Sequence, residues 1–399
     1  MNTGDAAYIR NLNRNIILEN IILHKNISRA ELSKITGLNK ATISSQINSL
    51  LEEGLIFEKE LDKSNGGRKP ILLTLDKDAG FAVGVEIDTT RISFLITDLS
   101  GKVLDQTDVS LREPSFEKIK DILITTIDRL VASREKTKHG LVGIGIGVQG
   151  IVDNEQRIVF TPRHQWKNVD LQKPLEDVFQ VPVHVDNNAN LCAFAELVYS
   201  HDTSNLLCIS TYSGIGLGIV INKEIYRGMN GFAGEIGHMI IQPNGRECPC
   251  GNLGCWEQYA SEKSFWRELN AITGVNEFSM DDLQASITNG DPTTLDQLSN
   301  LSTYLGMGIN NVINLFNPET IIINSQLSKV YPELISNIKS NLSSYINHYR
   351  TIQFSELGKY ACAMGACAMS IQRFLGISHI RLELPEQDNL TLMGKMVVS

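Results

Sequence analysis

Four side chains of the types that bind metals fall close together in the sequence. They are His238, Cys248, Cys250 and Cys255, with the spacing H-x9-C-x-C-x4-C. Three thiolates and one imidazole suit tetrahedral Zn2+, and because such a set leaves no open position, we expect a structural ion. The alternative is three surface cysteines beside an incidental histidine. The remaining cysteines lie in apolar stretches, which is typical of small core residues: Cys192, Cys208, Cys362 and Cys367.

A second group of side chains, near the N-terminus, has the chemistry for reading DNA. The capping box of Ser28 and Glu31 predicts the start of one helix, and Gly37 predicts its end. A further helix is predicted from about residue 39 to residue 53, with Ile43 on its inner face. Two short helices joined by a glycine turn form a helix-turn-helix, whose second helix enters the major groove. The alternative is a helical bundle with a solvated polar face.

The outer face of the second helix offers amide, hydroxyl and ammonium groups. Gln46 can pair with adenine, and Lys40 with guanine or phosphate. Two β-prone runs follow, at residues 55–61 and 70–75, and predict a hairpin wing whose basic tip reaches the minor groove. A plain surface hairpin would carry the same glycines. The predicted DNA-contacting residues are Asn39, Lys40, Thr42, Ser44, Ser45 and Gln46 in the helix, and Gly67, Arg68 and Lys69 in the wing tip.

The charge of the chain is unevenly distributed. The 399 residues carry a net charge of -9, which for the whole chain argues against a nucleic-acid partner. Residues 1–80, however, contain 11 Lys and Arg against 10 Asp and Glu, so the excess acid lies in the remainder. A near-neutral N-terminal part can bind DNA if its basic groups share one face. With no export signal and no apolar run long enough to span a membrane, we expect a cytoplasmic protein.

Beyond residue 80, predicted strands and helices alternate in two similar sets. The first set has strands at residues 81–87, 91–98, 103–111 and 141–148 and a helix at 115–132; the second has strands at 206–210, 216–222 and 320–324 and long helices between 291 and 316. The repetition predicts an α/β fold of two lobes with a cleft between them. These elements must position the chemical groups described above.

Two segments carry a resemblance to a known family. They are Gly234-Glu235-Ile236-Gly237-His238 and Cys248-Pro249-Cys250-Gly251-Asn252-Leu253-Gly254-Cys255-Trp256-Glu257, and they resemble the signature of the ROK family of bacterial sugar kinases and sugar-responsive repressors. The wing-tip segment 66–70 and the Thr161-Pro162 pair before Trp166 most resemble the xylose repressors of Gram-positive bacteria. The resemblance implies a winged helix-turn-helix at residues 1–78, followed at 79–399 by an actin-like, hexokinase-type, two-lobed ROK sugar-sensing domain with a zinc loop at about 238–257.

The resemblance also implies a sugar site. Motif matching nominates Asn187, Asn188, Glu235, His238 and Glu257 as effector-binding residues, since carboxylates and amides can each hold two hydroxyls. His238 would bind zinc through one ring nitrogen and face the sugar with the other. Taken singly, each of these residues could be an ordinary surface or capping group.

The motifs of a sugar kinase look degenerate in this chain. Kinases of the family take the proton of the sugar hydroxyl with an Asp, whereas Asn188 stands at that position and its amide cannot act as a base. Thr89 and Thr90 replace the glycines of the first phosphate loop, where side chains would obstruct a phosphate. A glycine-rich segment, 214–218, resembles the second phosphate loop. We therefore predict that the protein is not an enzyme.

These observations predict a repressor that binds operator DNA as a dimer, or a higher homo-oligomer, and is released by a small aldose. Xylose is the sugar that the resemblance implies. The alternatives are a bifunctional sugar kinase that also binds DNA and a regulator controlled by a protein partner. The C-terminal segment 376–399 matches no motif and is interpreted as a terminal strand or a tag-like extension.

Overall fold

The computed structural model describes residues 6–60, 71–111, 115–275 and 277–384. Its N-terminal part, residues 6–60 and 71–75, is called the reader below. The reader consists of α1 (Ala6–His24), β1 (Ile27–Ser28), α2 (Arg29–Thr36), α3 (Lys40–Glu53), β2 (Ile56–Glu60) and β3 (Ile71–Leu75). β2 and β3 form an antiparallel hairpin, and β1 pairs with the other side of β3. The predicted winged helix-turn-helix is confirmed, while the wing-tip residues Gly67, Arg68 and Lys69 lie outside the described residues.

Local signals in the sequence account for the helix boundaries of the reader. The Ser28 side chain accepts a hydrogen bond from the Glu31 backbone N–H, and the Glu31 carboxylate accepts one from the Ser28 N–H at 2.9 Å. Gly37 ends α2 with a φ of 70°, and Gly54 ends α3 with a φ of 68°. Both values lie in the left-handed region that glycine adopts without strain. The two helices therefore start and stop where their capping residues require.

The first lobe comprises residues 80–150, 156–186 and the described part of 363–399. Its elements are β4 (Gly80–Ile87), β5 (Arg91–Asp98), β6 (Val103–Ser110), α4 (Phe116–Ala132), β7 (Gly140–Val148), β9 (Ile158–Phe160), β10 (Lys167–Val169), α5 (Gln172–Phe179) and β11 (Val183–Asn187). The short strand β8 (Ile151–Val152), between β7 and β9 in the sequence, belongs to the second lobe. The main sheet has the strand order β6-β5-β4-β7-β11. β4 is antiparallel to β5 and parallel to β7.

The second lobe comprises residues 151–155 and 187–362. Its further elements are α6 (Asn188–Ala195), β12 (Leu206–Ser210), β13 (Gly216–Ile221), β14 (Glu224–Ile225), α7 (Glu257–Ala260), α8 (Glu262–Thr273), α9 (Met280–Thr288), α10 (Pro292–Phe316), β15 (Thr320–Asn324), α11 (Leu334–Ser340) and β16 (Thr351–Phe354). The strand order is β14-β13-β12-β15-β16, with β12 antiparallel to β13 and parallel to β15. This order repeats that of the first lobe, so the predicted pair of similar α/β lobes is confirmed.

The last helix, α12 (Ala361–Leu375), packs directly on the first-lobe sheet. A Cβ added to Gly84 in β4 would lie 2.0 Å from the Ala363 carbonyl oxygen, and one added to Gly145 in β7 would lie 2.2 Å from that of Ala366. Only glycine therefore permits this approach between helix and strands. Helix α12 thus completes the core of the first lobe, whose sheet includes β4 and β7.

The described residues form two compact units. One holds those within Met1–Gly150, Gln156–Asp186 and Ala363–Ser399, and the other those within Ile151–Glu155 and Asn187–Cys362. The reader thus shares a unit with the first lobe, and the boundary predicted between residues 1–78 and 79–399 stays a prediction. Among the described helices, none combines the length and the apolar character needed to cross a membrane.

Candidate functional site

The four predicted metal ligands converge in the second lobe. Their ligand atoms all lie within 4.8 Å of one another. Cys248 Sγ is 3.6 Å from His238 Nδ1, and Cys250 Sγ is 3.6 Å from Cys255 Sγ. A tetrahedron with metal–sulfur bonds of about 2.3 Å has edges of about 3.7 Å, so these separations fit ligands around one ion. The four residues could therefore hold one metal ion.

One buried indole ties the metal loop to the rest of the lobe. Trp256 is fully buried, and its Nε1–H donates a hydrogen bond to the Tyr304 carbonyl oxygen in α10 at 2.7 Å. A Cβ added to Gly308, one turn further along α10, would lie 2.0 Å from Trp256 Cε2. The indole therefore rests directly on the α10 backbone. Sequence reasoning missed this anchor, although Trp256 directly follows a ligand.

The imidazole of His238 has Cys248 and Glu257 on its Nδ1 side and Glu235 on its Nε2 side. Its Nδ1 faces Cys248 and lies 3.9 Å from Glu257 Oε1, whereas its Nε2 lies 3.8 Å from Glu235 Oε2. Burial raises the pKa of the Glu235 carboxyl, against the opposing effect of His238. The ring can thus serve a metal with one nitrogen and a polar ligand with the other. The role of His238 as a bridge between metal and sugar stays a prediction.

The glycine-rich segment 214–218 brings the separate site motifs together. A Cβ added to Gly214 would lie 2.7 Å from Glu257 Oε2, and one added to Gly237 would lie 2.4 Å from a carbonyl oxygen of the segment itself. A Cβ added to Gly218 would lie 2.1 Å from a carbonyl oxygen of α6. The glycines therefore allow three parts of the chain to contact the segment 214–218: the start of α6, the Glu235–His238 stretch and Glu257.

The two predicted amides stand where β11 meets α6. Asn187 caps α6, and its Oδ1 accepts a hydrogen bond from the Ala189 N–H at 2.7 Å. Part of its hydrogen-bonding capacity is thus used within the protein. Asn188 is the first residue of α6 and is half-buried. Of the two, Asn188 is therefore the better placed to contact a ligand.

The residues at which the sequence predicts an altered phosphate loop form a hairpin turn. Thr89 and Thr90 connect β4 to β5, and the Asp88 N–H donates a hydrogen bond to the Arg91 carbonyl oxygen at 3.0 Å. The His164 Nε2 lies 3.2 Å from the Asp88 carbonyl oxygen. The turn carries two β-branched side chains, and its interpretation as an altered phosphate loop stays a prediction.

α3 presents most of the predicted DNA-reading residues at the surface. Lys40 and Ser45 are exposed, and Thr42 and Ser44 are half-buried. Asn39 is exposed and caps the helix, since its Oδ1 accepts a hydrogen bond from the Thr42 N–H at 2.9 Å. Contact of these side chains with DNA stays a prediction.

Gln46 does not lie on the outer face. Its side chain is 5% exposed, so the expectation that it can reach a base is wrong. The reason is the helical period, because position 46 is three residues after Ile43 and four before Leu50, both of which face the core. Adenine recognition by Gln46 is therefore withdrawn.

Sequence reasoning also missed the residues that attach the reader to the first lobe. Arg14 of α1 bonds Glu53 of α3 at 2.7 Å and donates to the Leu375 carbonyl oxygen at 3.0 Å. Lys138 and His139 contact the carboxyl end of α3. No local motif marks these residues, because each contacts a partner far away in the sequence.

A winged helix-turn-helix joined to two α/β lobes of the same plan defines a protein of the actin-like fold class with an added DNA-binding module. A profile of the ROK family matches residues 82–373, and the chain belongs to that family. A protein of Bacillus spizizenii named as a xylose repressor is 39% identical over 384 residues, which cover 94% of this chain and 99% of that protein.

Two solved structures extend the comparison. A ROK family transcriptional regulator, described as a homologue of the Escherichia coli MLC protein, superimposes with a TM-score of 0.81 and 28% identity, covering 92% of this chain and 97% of its own. A ROK family glucokinase from Streptomyces griseus, crystallised with glucose and AMPPNP, gives a TM-score of 0.66 and 26% identity, covering 73% of this chain and 100% of its own. The match to the regulator thus spans more of this chain than the match to the kinase.

Proposed function

We propose that this protein is a sugar-responsive transcriptional repressor that binds operator DNA as a dimer and is released by a small aldose. The observation that carries the proposal is the presence, in one chain, of an exposed recognition helix and of His238 held between Glu235 and Glu257. The similarity to a xylose repressor over nearly the whole chain supports D-xylose as the effector.

The sugar site is assigned to Asn187, Asn188, Glu235, His238 and Glu257. Ionised carboxylates accept hydrogen bonds from sugar hydroxyls, and an amide both donates and accepts. Since a site built to bind hydroxyls leaves buried polar groups unpaired when a hydroxyl is missing, it discriminates strongly between sugars and their deoxy analogues. Support for this assignment comes from the packing of all three site segments against residues 214–218.

The metal is assigned as a structural Zn2+ held by His238, Cys248, Cys250 and Cys255. Three soft thiolates and an imidazole at these separations favour zinc over harder cations. When bound, the ion supplies a fixed tetrahedral centre and no open position for chemistry. The protein's own residues do the rest: Trp256 fixes the loop on α10, and Glu235 faces the outer nitrogen of His238.

Loss of kinase activity belongs to the same proposal. Asn188 offers an amide where a base is needed, and the turn at Thr89 and Thr90 offers methyl groups where a phosphate must approach. The glycines at 214 and 218 have a packing explanation, because side chains there would collide with Glu257 and α6. Their presence is therefore no argument for nucleotide binding.

The switch proposed is a population shift. The sugar favours one arrangement of the protein over another, and in the favoured arrangement the two recognition helices of a dimer no longer match their half-sites. A hundredfold loss of operator affinity corresponds to a coupling free energy of about 2.7 kcal/mol. A few hydroxyl hydrogen bonds that are better made in one state are enough to supply it.

The experiment selects operator DNA from a random duplex pool with the purified protein and then tests a panel of aldoses for release. We expect D-xylose to weaken binding at least tenfold, with L-arabinose and D-glucose weaker or without effect. The same samples are assayed for ATP-dependent sugar phosphorylation, which should be absent. Failure of every sugar to change operator affinity, or measurable phosphorylation of xylose or glucose, would contradict the proposal.

A further inference from the structure

We propose that two groups of residues clamp the reader onto the first lobe, and that this clamp passes the state of the sugar site to the recognition helix. The clamp consists of the C-terminal segment 376–383, on one side, and of Lys138 and His139, on the other. The inference rests on the proposed function and assigns a role to a segment in which no sequence motif was found.

The C-terminal segment joins α1 to the first lobe. The Glu19 carboxylate accepts hydrogen bonds from the N–H groups of Ser378 and His379, at 2.7 and 3.0 Å. Lys25 forms an ion pair with Glu383 at 3.0 Å, and the Glu383 N–H donates to the Ser100 carbonyl oxygen of the first lobe at 3.0 Å. One continuous segment is thus bonded to the reader and to the lobe at once.

Apolar side chains of the same segment are buried in the protein. Ile377, Ile380 and Leu382 are buried, with exposed fractions of 6%, 8% and 5%. Burying these apolar side chains stabilises the packed segment relative to leaving them in water. Residues 377–382 are therefore packed into the unit, and for the described residues 376–384 neither the terminal strand nor the tag-like extension is correct. Residues 385–399 lie outside the described residues.

The second half of the clamp holds the carboxyl end of the recognition helix. Lys138 Nζ donates to the Glu52 carbonyl oxygen at 2.6 Å, and the His139 Nε2 lies 2.9 Å from the Glu53 carbonyl oxygen. The last carbonyls of a helix lack partners within the helix and carry its partial negative charge, so a cation there is favourable. Gly54 leaves room for this contact, because a Cβ there would lie 2.5 Å from Lys138 Cδ.

Together, the two contact groups fix both ends of the reader. α1 is held at Glu19, in addition to the bond from Arg14 to Leu375, and Lys25 directly after α1 pairs with Glu383. α3 is held at its carboxyl end. A dimer that reads two half-sites needs a set distance and angle between its recognition helices. A reader that is not fixed to the first lobe loses this pre-organisation, and the binding of its dimer to the second half-site weakens. A reader that moves with the first lobe, in contrast, responds to whatever moves that lobe.

The test uses the full chain with point variants on both sides of the clamp. Glu19→Ala removes the acceptor for the C-terminal segment, and the double variant Lys138→Ala/His139→Ala frees the end of α3. Lys136→Ala, an exposed lysine two positions away, is the matched control. Operator affinity is measured without sugar and with saturating D-xylose, and xylose affinity is measured without DNA.

Both clamp variants should bind the operator about tenfold more weakly than wild type without sugar, because the reader is no longer pre-oriented. Xylose should then change their operator affinity less than twofold, although they bind xylose as wild type does. Clamp variants with wild-type operator affinity and a wild-type xylose effect would overturn the clamp. If wild type itself ignores xylose, the proposed effector fails, and the operator affinity of the variants without sugar still decides on the clamp.

Truncations provide a second, independent test. A chain that ends at residue 384 keeps the described part of the C-terminal segment and should behave as wild type, whereas one that ends at residue 376 should behave as Glu19→Ala. A shorter chain that keeps the full xylose effect would contradict the role of the segment. The shorter chain also loses buried apolar side chains, so its xylose affinity is measured to check that it folds. If the shorter chain does not fold, the Glu19→Ala variant decides the question.

Discussion

At the scale of single residues, the site depends on His238, which serves two environments through one ring. Its Nδ1 lies 3.6 Å from Cys248 Sγ, and its Nε2 is directed towards Glu235. A ligating imidazole is normally oriented by the group on its other nitrogen, and here a sugar hydroxyl or Glu235 can take that place. Metal binding and sugar binding are therefore expected to depend on each other.

Replacement of Cys250 by serine should remove zinc and the sugar response together. The alkoxide that zinc would require is unfavourable at neutral pH, so one ligand is lost and the loop that carries Glu257 is no longer fixed. Metal content by mass spectrometry and xylose affinity by calorimetry are the measurements. Asn252→Ala, in the same exposed turn, is the control and should keep both. A zinc-free Cys250→Ser protein with normal xylose affinity would refute this dependence.

At the residue scale, the sequence predicted the metal cluster well and the DNA face less well. The four ligands lie in two neighbouring segments with glycine at the turns, so their chemistry and spacing were sufficient. Gln46 was misplaced because its polar type suggested the outside, whereas its position between Ile43 and Leu50 puts it inside. Lys138 could not be found, since its partner lies 86 positions away.

At the scale of elements, the metal loop depends on α10 as much as on its own turns. Trp256 makes its hydrogen bond to Tyr304 and packs on Gly308, so helix and loop are one packed unit. The strands 206–210 and 320–324 were predicted with their observed ends. Each is a short apolar run bounded by polar residues, and this pattern marks where a buried strand begins and ends. What could not be predicted is which helix face supports the loop, since that contact is non-local.

Gly308→Ala should disturb the metal loop without touching a ligand. The added methyl group would lie 2.0 Å from the Trp256 ring, and overpacking of this kind costs about 1–3 kcal/mol. We expect a lower thermal midpoint and faster zinc loss to a chelator. Met307→Ala, at a 41% exposed position of the same helix, should change neither quantity. Equal chelation rates in the two variants would show that α10 does not support the loop.

The contact between α1 and α3 should make the stability of the reader depend on pH. Burial alone would raise the pKa of Glu53, but the hydrogen bond and charge of Arg14 outweigh it and hold the pKa below 4.5. An ionised Glu53 therefore stabilises the folded state above pH 4.5, and this contribution is lost as the pH falls through the lowered pKa. Because the carboxylate is about one-third exposed, the contribution is below about 1 kcal/mol.

Arg14→Met should accordingly lower the thermal midpoint at pH 7, and the difference from wild type should shrink as the pH falls below 4.5. Melting curves between pH 3.5 and pH 7.5 measure this. Lys173→Met, which breaks an exposed ion pair with Asp177, is the control and should have little effect at any pH. A difference that stays constant over the whole range would contradict the assigned ion pair.

At the scale of the whole molecule, sugar and operator must affect each other equally. If xylose weakens operator binding by a given factor, the operator weakens xylose binding by that factor, because the coupling free energy is shared. Xylose titrations with and without saturating operator measure the second factor. We expect the two factors to agree within about twofold. Unequal factors would show that a further equilibrium, such as a change of assembly state, differs between the two titrations.

The position of the clamp also has a consequence for synthesis. α1 (Ala6–His24) leaves the ribosome long before residues 376–383, whose backbone N–H groups bond Glu19 of this helix. During translation the DNA-binding module therefore exists before the segment that ties it to the sugar sensor. A chain that stops before residue 376 would therefore carry a reader without half of the proposed clamp. On this proposal, control by sugar begins only once residues 376–383 have been made and packed.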